Sequence, residues 1–216
     1  MSAGTTDWVA WHDAYGDPAS ALGRRLRVVQ DQIRRALPAQ PRRPVRVLSM
    51  CAGRGADLIE VLSAYPGAGQ VQARLVEQDP RNVAALSASA RTAGLDLEIV
   101  EGDAAEPRVY EGAVPADLVL LCGVLGNISD ADARFTIASL PQLCRTGATV
   151  VWTRSRRPPD LTPQVRRWFT ESGFEETAFV APEDVLFSVG SCRFLGRSQP
   201  LGARRFFAFT CSDREP

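Results

Sequence analysis

Apolar residues along this 216-residue chain alternate between two patterns. Short, largely apolar runs predict strands buried in a sheet: VRVLSM (45–50), VQARLVE (71–77), LEIVEGD (97–103), ADLVLLCG (116–123) and TGATVVWT (146–153). Between them, apolar positions recur at three- and four-residue spacing, as on one face of a helix. The first helix opens at Asp17-Pro18, carries Leu22, Leu26, Val29, Ile33 and Leu37, and stops at Pro38. PAQPRRP (38–44) is an extended connector. A second helix follows CAGRGAD (51–57) and ends near Pro66-Gly67, and a third runs from Asp79-Pro80 past Val83 and Leu86 to Gly94. Ser129 caps a fourth before Pro141, and Thr162-Pro163 starts a fifth that carries Val165, Trp168 and Phe169 and closes at Gly173. FEETAFVA (174–181) and RRFFAFTC (204–211) complete the count as sixth and seventh strands. This alternation predicts a single α/β domain over 1–216, with a doubly wound, seven-stranded, mainly parallel sheet. The last two strands have no clear helix between them, so one of them is expected to run antiparallel.

Composition narrows the chemistry. Hydrophobic residues make up 45% and charged residues 23%, as in ordinary globular domains. No apolar run approaches the ~18 residues of a membrane span. The N-terminus lacks the basic start and apolar core of a secretory signal, so a cytoplasmic protein is expected, with no membrane partner. The five cysteines (Cys51, Cys122, Cys144, Cys192, Cys211) are scattered, without a CxxC pair, which argues against a disulfide framework and a zinc site. His12 is the sole histidine. All 25 basic residues are arginine, which excludes a lysine Schiff base and a lysine-bearing phosphate loop. The bias toward Arg, Ala, Gly and Pro suggests a bacterial source, and the zero net charge gives no global attraction to nucleic acid.

Ligands of a doubly wound sheet bind beyond the carboxyl ends of its strands. The first strand ends in Ser49-Met50-Cys51-Ala52-Gly53-Arg54-Gly55, where Gly53 and Gly55 permit positive φ and a close approach of backbone to ligand. The second ends at Glu77, whose carboxylate can accept from both hydroxyls of a ribose, and the third at Gly102-Asp103, suited to an adenine amino group. Each is unremarkable alone: a tight turn, a strand end, a turn aspartate. Their order at three successive strand ends is what points to adenosine. With these residues in place, the chain resembles the class I S-adenosylmethionine-dependent methyltransferases. RVLSMCAGRGAD matches that family's glycine-rich motif, RLVEQDP its acidic second strand, EGDAAE its adenine-contacting aspartate, and ADLVLLCGVLGN its fourth strand and following loop. The resemblance spans about residues 45–211. It implies a cofactor set of Ser49, Cys51, Ala52, Gly53, Gly55, Glu77, Gln78, Asp103, Ala104, Cys122 and Gly123, with residues 1–44 as an N-terminal helical lid and connector. Two departures stand out: Ser49 where the family usually has an acid, and Cys51 where it usually has a glycine. The nearest competitor, a dinucleotide site, wants glycines at i, i+2 and i+5, and from Cys51 the first is missing.

Methyl transfer from a sulfonium asks the protein mainly to align the acceptor and exclude water, with a base only where the acceptor must lose a proton. His12, with an ordinary pKa near ~6.5, is a candidate base and otherwise part of an aromatic anchor with Trp8 and Trp11. Tyr15 is a candidate for closing over the cofactor, and Asn127 for orienting the acceptor or shaping its own turn. Arg154, Arg156 and Arg157 either draw an anionic acceptor or form a solvated loop. The motifs of DNA amino- and cytosine-methylating enzymes are absent, as are the acids that hold magnesium in catechol-type enzymes. A small-molecule acceptor without metal is therefore expected. A non-catalytic adenosylmethionine- or nucleotide-binding module and an enzyme acting on RNA or protein are the alternatives; a homo-oligomer is left open.

Overall fold

The computed structural model describes residues 19–210, which form seven strands and five α-helices. In chain order these are α1 (Ala21–Ala36), β1 (Val45–Met50), α2 (Ala56–Ser63), β2 (Val71–Glu77), α3 (Pro80–Thr92), β3 (Glu98–Glu101), β4 (Ala116–Leu121), α4 (Asp130–Ser139), β5 (Cys144–Ser155), α5 (Thr162–Glu171), β6 (Phe174–Val180) and β7 (Phe187–Phe194). The sheet order is β3-β2-β1-β4-β5-β7-β6, with β7 antiparallel to both neighbours and every other pairing parallel.

The apolar strand runs are explained by burial on both faces. Along β1, Val45 and Val47 enter one core while Leu48 and Met50 enter the other; Leu118 and Val119 of β4 divide the same way. The first core is closed by α1, α2 and α3 through Val29, Ile33, Leu58, Leu62 and Leu86. The second is closed by α4 and α5 through Ile137, Val165 and Phe169, and by Phe206 and Phe207 from the segment beyond the sheet. Among the described residues no helix is long and apolar enough to cross a membrane.

Two expectations are corrected. The seventh strand is Phe187–Phe194, not 204–211. Its run FSVGSCRF is diluted by Ser188, Gly190 and Ser191, all buried, because an antiparallel strand between two others can place small residues against large neighbours. Residues 204–210 are instead an extended strap with one β-bridge, Phe209 to Ile128. The first helix is capped by Ser20, whose Oγ accepts from Gly23 N at 2.9 Å; Asp17 and Pro18 lie outside the described residues. That helix is docked against the sheet by Val29 and Ile33 as a full member of one layer.

Gly190 pairs with Trp152 across β5 and β7, and the buried Trp152 ring stacks on Phe169 at 5.5 Å. A Cβ at Gly190 would lie 2.2 to 2.4 Å from three atoms of that ring. Gly190→Ala should therefore destabilise the protein by ~1–3 kcal/mol through overpacking, read by denaturant unfolding. Wild-type stability in that variant would mean that Trp152 has an alternative seat.

Candidate functional site

The site grows from the order of the strands. β2 and β3 step to one side of β1 and β4 to the other, so connections diverge at the carboxyl end of β1. There the chain leaves the sheet through residues 51–55 with φ of +57° at Cys51, +56° at Gly53 and +69° at Gly55. Cys51 occupies a left-handed conformation that glycine adopts freely and a side chain does not. At Gly55 a Cβ would also meet Leu86 Cδ1 at 2.3 Å, so helix α3 packs directly against the turn.

Hydrogen bonds tie this loop to the next strand. Ala52 N donates to Val76 O, and Gly55 N to Ala52 O, both at 2.9 Å. Gly53 N donates to Glu77 Oε2 at 2.7 Å, and Asp79 N to Glu77 Oε1 at 2.9 Å. Glu77, 8% exposed, is thus oriented by two backbone amides. Beyond β3, Asp103 Oδ1 accepts from Ala105 N at 2.9 Å and Oδ2 from Arg205 Nη2 at 2.6 Å. Beyond β4, Gly123 N donates to the buried hydroxyl of Thr153 at 2.8 Å.

These strand ends surround one cavity of about 560 Å³. Of the eleven residues singled out for a cofactor, all but Ser49 line it. Ser49 is buried within β1, paired to Leu75 and Leu120, one step below the wall. Asn127 does not line the cavity either. Its Nδ2 donates to Gly123 O at 2.6 Å and its carbonyl accepts from Thr210 N at 2.9 Å, so it braces the β4 loop. His12 and Tyr15 lie outside the described residues. Arg154 and Arg156 are partly buried and turned toward acceptors of the protein itself. Arg154 donates to Leu125 O and lies 3.7 Å from Asp130, while Arg156 donates to the carbonyls of Val185 at 2.8 Å and Phe187 at 3.2 Å.

Other wall residues carry chemistry that the sequence pattern did not reveal. Burial pushes the Asp57 carboxyl, in the first turn of α2, up to about 6, against the opposing effect of its own helix amides and of Arg25. Burial likewise raises the Cys51 and Cys122 thiols, reinforced by the carboxylates of Glu77 and Asp103 at Cys51 and of Asp57 at Cys122, so both remain protonated. Thr153, Asn82 and Phe209, the last carried in by the strap, also line the wall. Arg205 stands behind it, paired to Asp103 and, at 2.7 Å, to Glu106. An acid two residues past Gly55 was the only one of these signals available in the sequence. Among the described residues no group of three His, Cys, Asp or Glu is placed to hold a metal ion.

No protein-family model matches the chain, and no curated protein matches it. Solved structures do. An O-methyltransferase family protein from Burkholderia thailandensis aligns with a TM-score of 0.64 at 19% identity, over 88% of this chain and 60% of that one. The chain thus spans less than two thirds of that relative's length. Magnesium protoporphyrin IX methyltransferase from Synechocystis PCC 6803, solved with bound S-adenosylmethionine, aligns with a TM-score of 0.68 at 13% identity, over 88% and 91% of the two chains. The cyclase SpnF aligns with a TM-score of 0.60 at 14% identity, over 86% of each chain. The chain has the Rossmann-like fold of the class I methyltransferases.

Proposed function

We propose that this protein is an S-adenosylmethionine-dependent methyltransferase acting on a small-molecule acceptor by in-line displacement, without metal. The observation that carries this reading is the convergence of the Gly53–Gly55 turn, Glu77, Asp103 and Cys122-Gly123 on one cavity. The same geometry speaks against a dinucleotide. A pyrophosphate is held by free backbone amides at a helix N-terminus. Here the amides of Ala52, Gly53 and Gly55, in the loop that leads into helix α2, are already bonded within the chain, one of them to the Glu77 carboxylate.

The donor set fits adenosylmethionine. Glu77 offers carboxylate acceptors to ribose hydroxyls, and Asp103 an acceptor to the adenine amino group. Asp57 adds negative charge suited to a cationic ligand. When bound, the cofactor supplies a methyl group already activated on a positively charged sulfur. The chain's own part is to hold and orient. Thr153 fixes the backbone of Gly123, and the protonated thiols of Cys51 and Cys122 offer no competing nucleophilic thiolate. Gln78 and Ala104 belong to the proposed cofactor set with the residues above, while Ser49, buried within β1, supports that wall from beneath. His12, Tyr15 and Asn127 stay on the proposed acceptor side, His12 as base and Asn127 as the brace of its loop. The likeness to a cyclase favours a second reading, in which the cavity serves a reaction other than methyl transfer. Acceptor-dependent conversion of adenosylmethionine to adenosylhomocysteine separates the two.

Calorimetric titration should show binding of S-adenosylmethionine and S-adenosylhomocysteine and none of NAD. Glu77→Ala should weaken both by ~1.5–3 kcal/mol. Binding of NAD alone would sink this reading, and unchanged affinity in a folded Glu77→Ala protein would remove Glu77 from the site. Asp57 is neutral below about pH 6 and anionic above it, so affinity for the cationic adenosylmethionine should fall as the pH drops through about 6. Asp57→Asn should flatten that dependence. A profile unaltered by the substitution would assign the titration to another group.

A further inference from the structure

Asn82, at 1% exposed, is with the strand residue Thr153 the most deeply buried polar residue on the cavity wall. No donor among the described residues satisfies its Oδ1. Buried amide oxygens are normally hydrogen-bonded, and one left without a partner in a ligand-sized cavity points to a donor on the ligand.

Its position says which donor. Asn82 sits in the first turn of α3, one helical turn before Leu86 and on the same face. Leu86 rests on Gly55, so this face looks onto the 51–55 loop. The N-cap of the same helix, Asp79, gives its amide to Glu77, and Glu77 gives its other oxygen to Gly53. Asn82 and Glu77 therefore approach the same loop from the same side. Asp103 follows β3, the strand beyond β2, and is held there by Arg205 of the strap.

We propose that Asn82 is a cofactor contact whose Oδ1 accepts from one hydroxyl of the ribose, Glu77 taking the other. The inference rests on the reading of the cavity as an adenosylmethionine site and adds a second acceptor to it. A cis-diol presents two donors, and the pair of a carboxylate and a carboxamide oxygen satisfies both. It also answers an otherwise unmet buried acceptor, which a second carboxylate could do only by placing two like charges together.

The test is titration of the full chain and of Asn82→Ala with S-adenosylhomocysteine and its 2′-deoxy, 3′-deoxy and inosyl analogues, alongside thermal unfolding. In the parent, at least one deoxy analogue should bind about tenfold more weakly than the complete nucleoside. Asn82→Ala should bind S-adenosylhomocysteine about tenfold more weakly and lose its discrimination against that same analogue. Its melting temperature should be unchanged or higher, since an unpartnered buried oxygen has been removed. A side chain that merely supported the fold would lower the melting temperature and leave the deoxy discrimination intact. Asn82→Asp, which keeps an acceptor oxygen, should retain the discrimination. Undiminished affinity in Asn82→Ala would overturn the assignment, as would a discrimination lost toward the inosyl analogue, which would put the donor on adenine. A parent that binds none of these ligands would sink the cofactor reading itself, and this inference with it.

Discussion

The carboxylate of Glu77 holds the functional end of this protein together. Its two oxygens accept from Gly53 N, in the turn after β1, and from Asp79 N, at the cap of α3. Two loops that belong to neighbouring strands are thereby locked at a common height above the sheet. The left-handed backbone of residues 51–55 and the docking of Leu86 on Gly55 are both consistent with that lock. A charge-assisted bond to a backbone amide is among the stronger neutralising partners a buried carboxylate can have. It holds the Glu77 side chain at the cavity wall and occupies the amides of Gly53 and Asp79.

The second constraint comes from the far end of the chain. The strap beyond β7 crosses the α4 side of the sheet, buries Phe206 and Phe207, and bonds Phe206 N to Ala105 O and Thr136 Oγ1 to Phe206 O. It then gives Arg205 to Asp103 and Glu106, and its last described residues to Asn127. One extended segment thus braces the loop after β3 and the loop after β4. Phe209, 43% exposed, is the part of the strap that reaches the cavity. A sheet edge supplies loops, and a cross-brace of this kind makes them rigid enough to present side chains at defined positions.

The cavity's electrostatic character follows from the same packing. Asp57, Glu77, Asp79 and Asp103 all line it, facing Arg25, Arg54 and Arg81. Asp79 is paired with Arg81 at 2.7 Å and Asp103 with Arg205, whereas Glu77 and Asp57 are held differently. Of these, Glu77 is held by two amides, whereas Asp57 is shifted toward neutrality by burial. The two carboxylates are thus set by their surroundings, one by hydrogen bonds to the backbone and the other by burial.

Much of this was determined locally. The alternation of apolar runs with helical spacing, the cap at Asp79, the glycines at 53 and 55 and the acids at the ends of β2 and β3 depend only on a residue's near neighbours. They can be read directly along the chain, and the fold class follows from them. What depended on contacts distant in sequence was not legible. Arg205 meets Asp103 across 102 residues, and nothing near either one announces the pair. The seventh strand was obscured because Gly190 and its serines are chosen to fit Trp152 and the neighbouring strands rather than to form an apolar run. Arg154 and Asn127 could be read along the chain either as ligand-binding groups or as loop residues, and only the structure shows their carbonyl partners. Nothing along the chain marks Asn82, which packing buries on the cavity wall with its Oδ1 unsatisfied. The sequence by itself determined where the strand ends would be and which carried acids and glycines, because those are properties of local backbone preference and periodicity. Only the tertiary structure decided which polar groups are used up internally and which are left for a ligand, because hydrogen-bond satisfaction is a property of the whole packed chain.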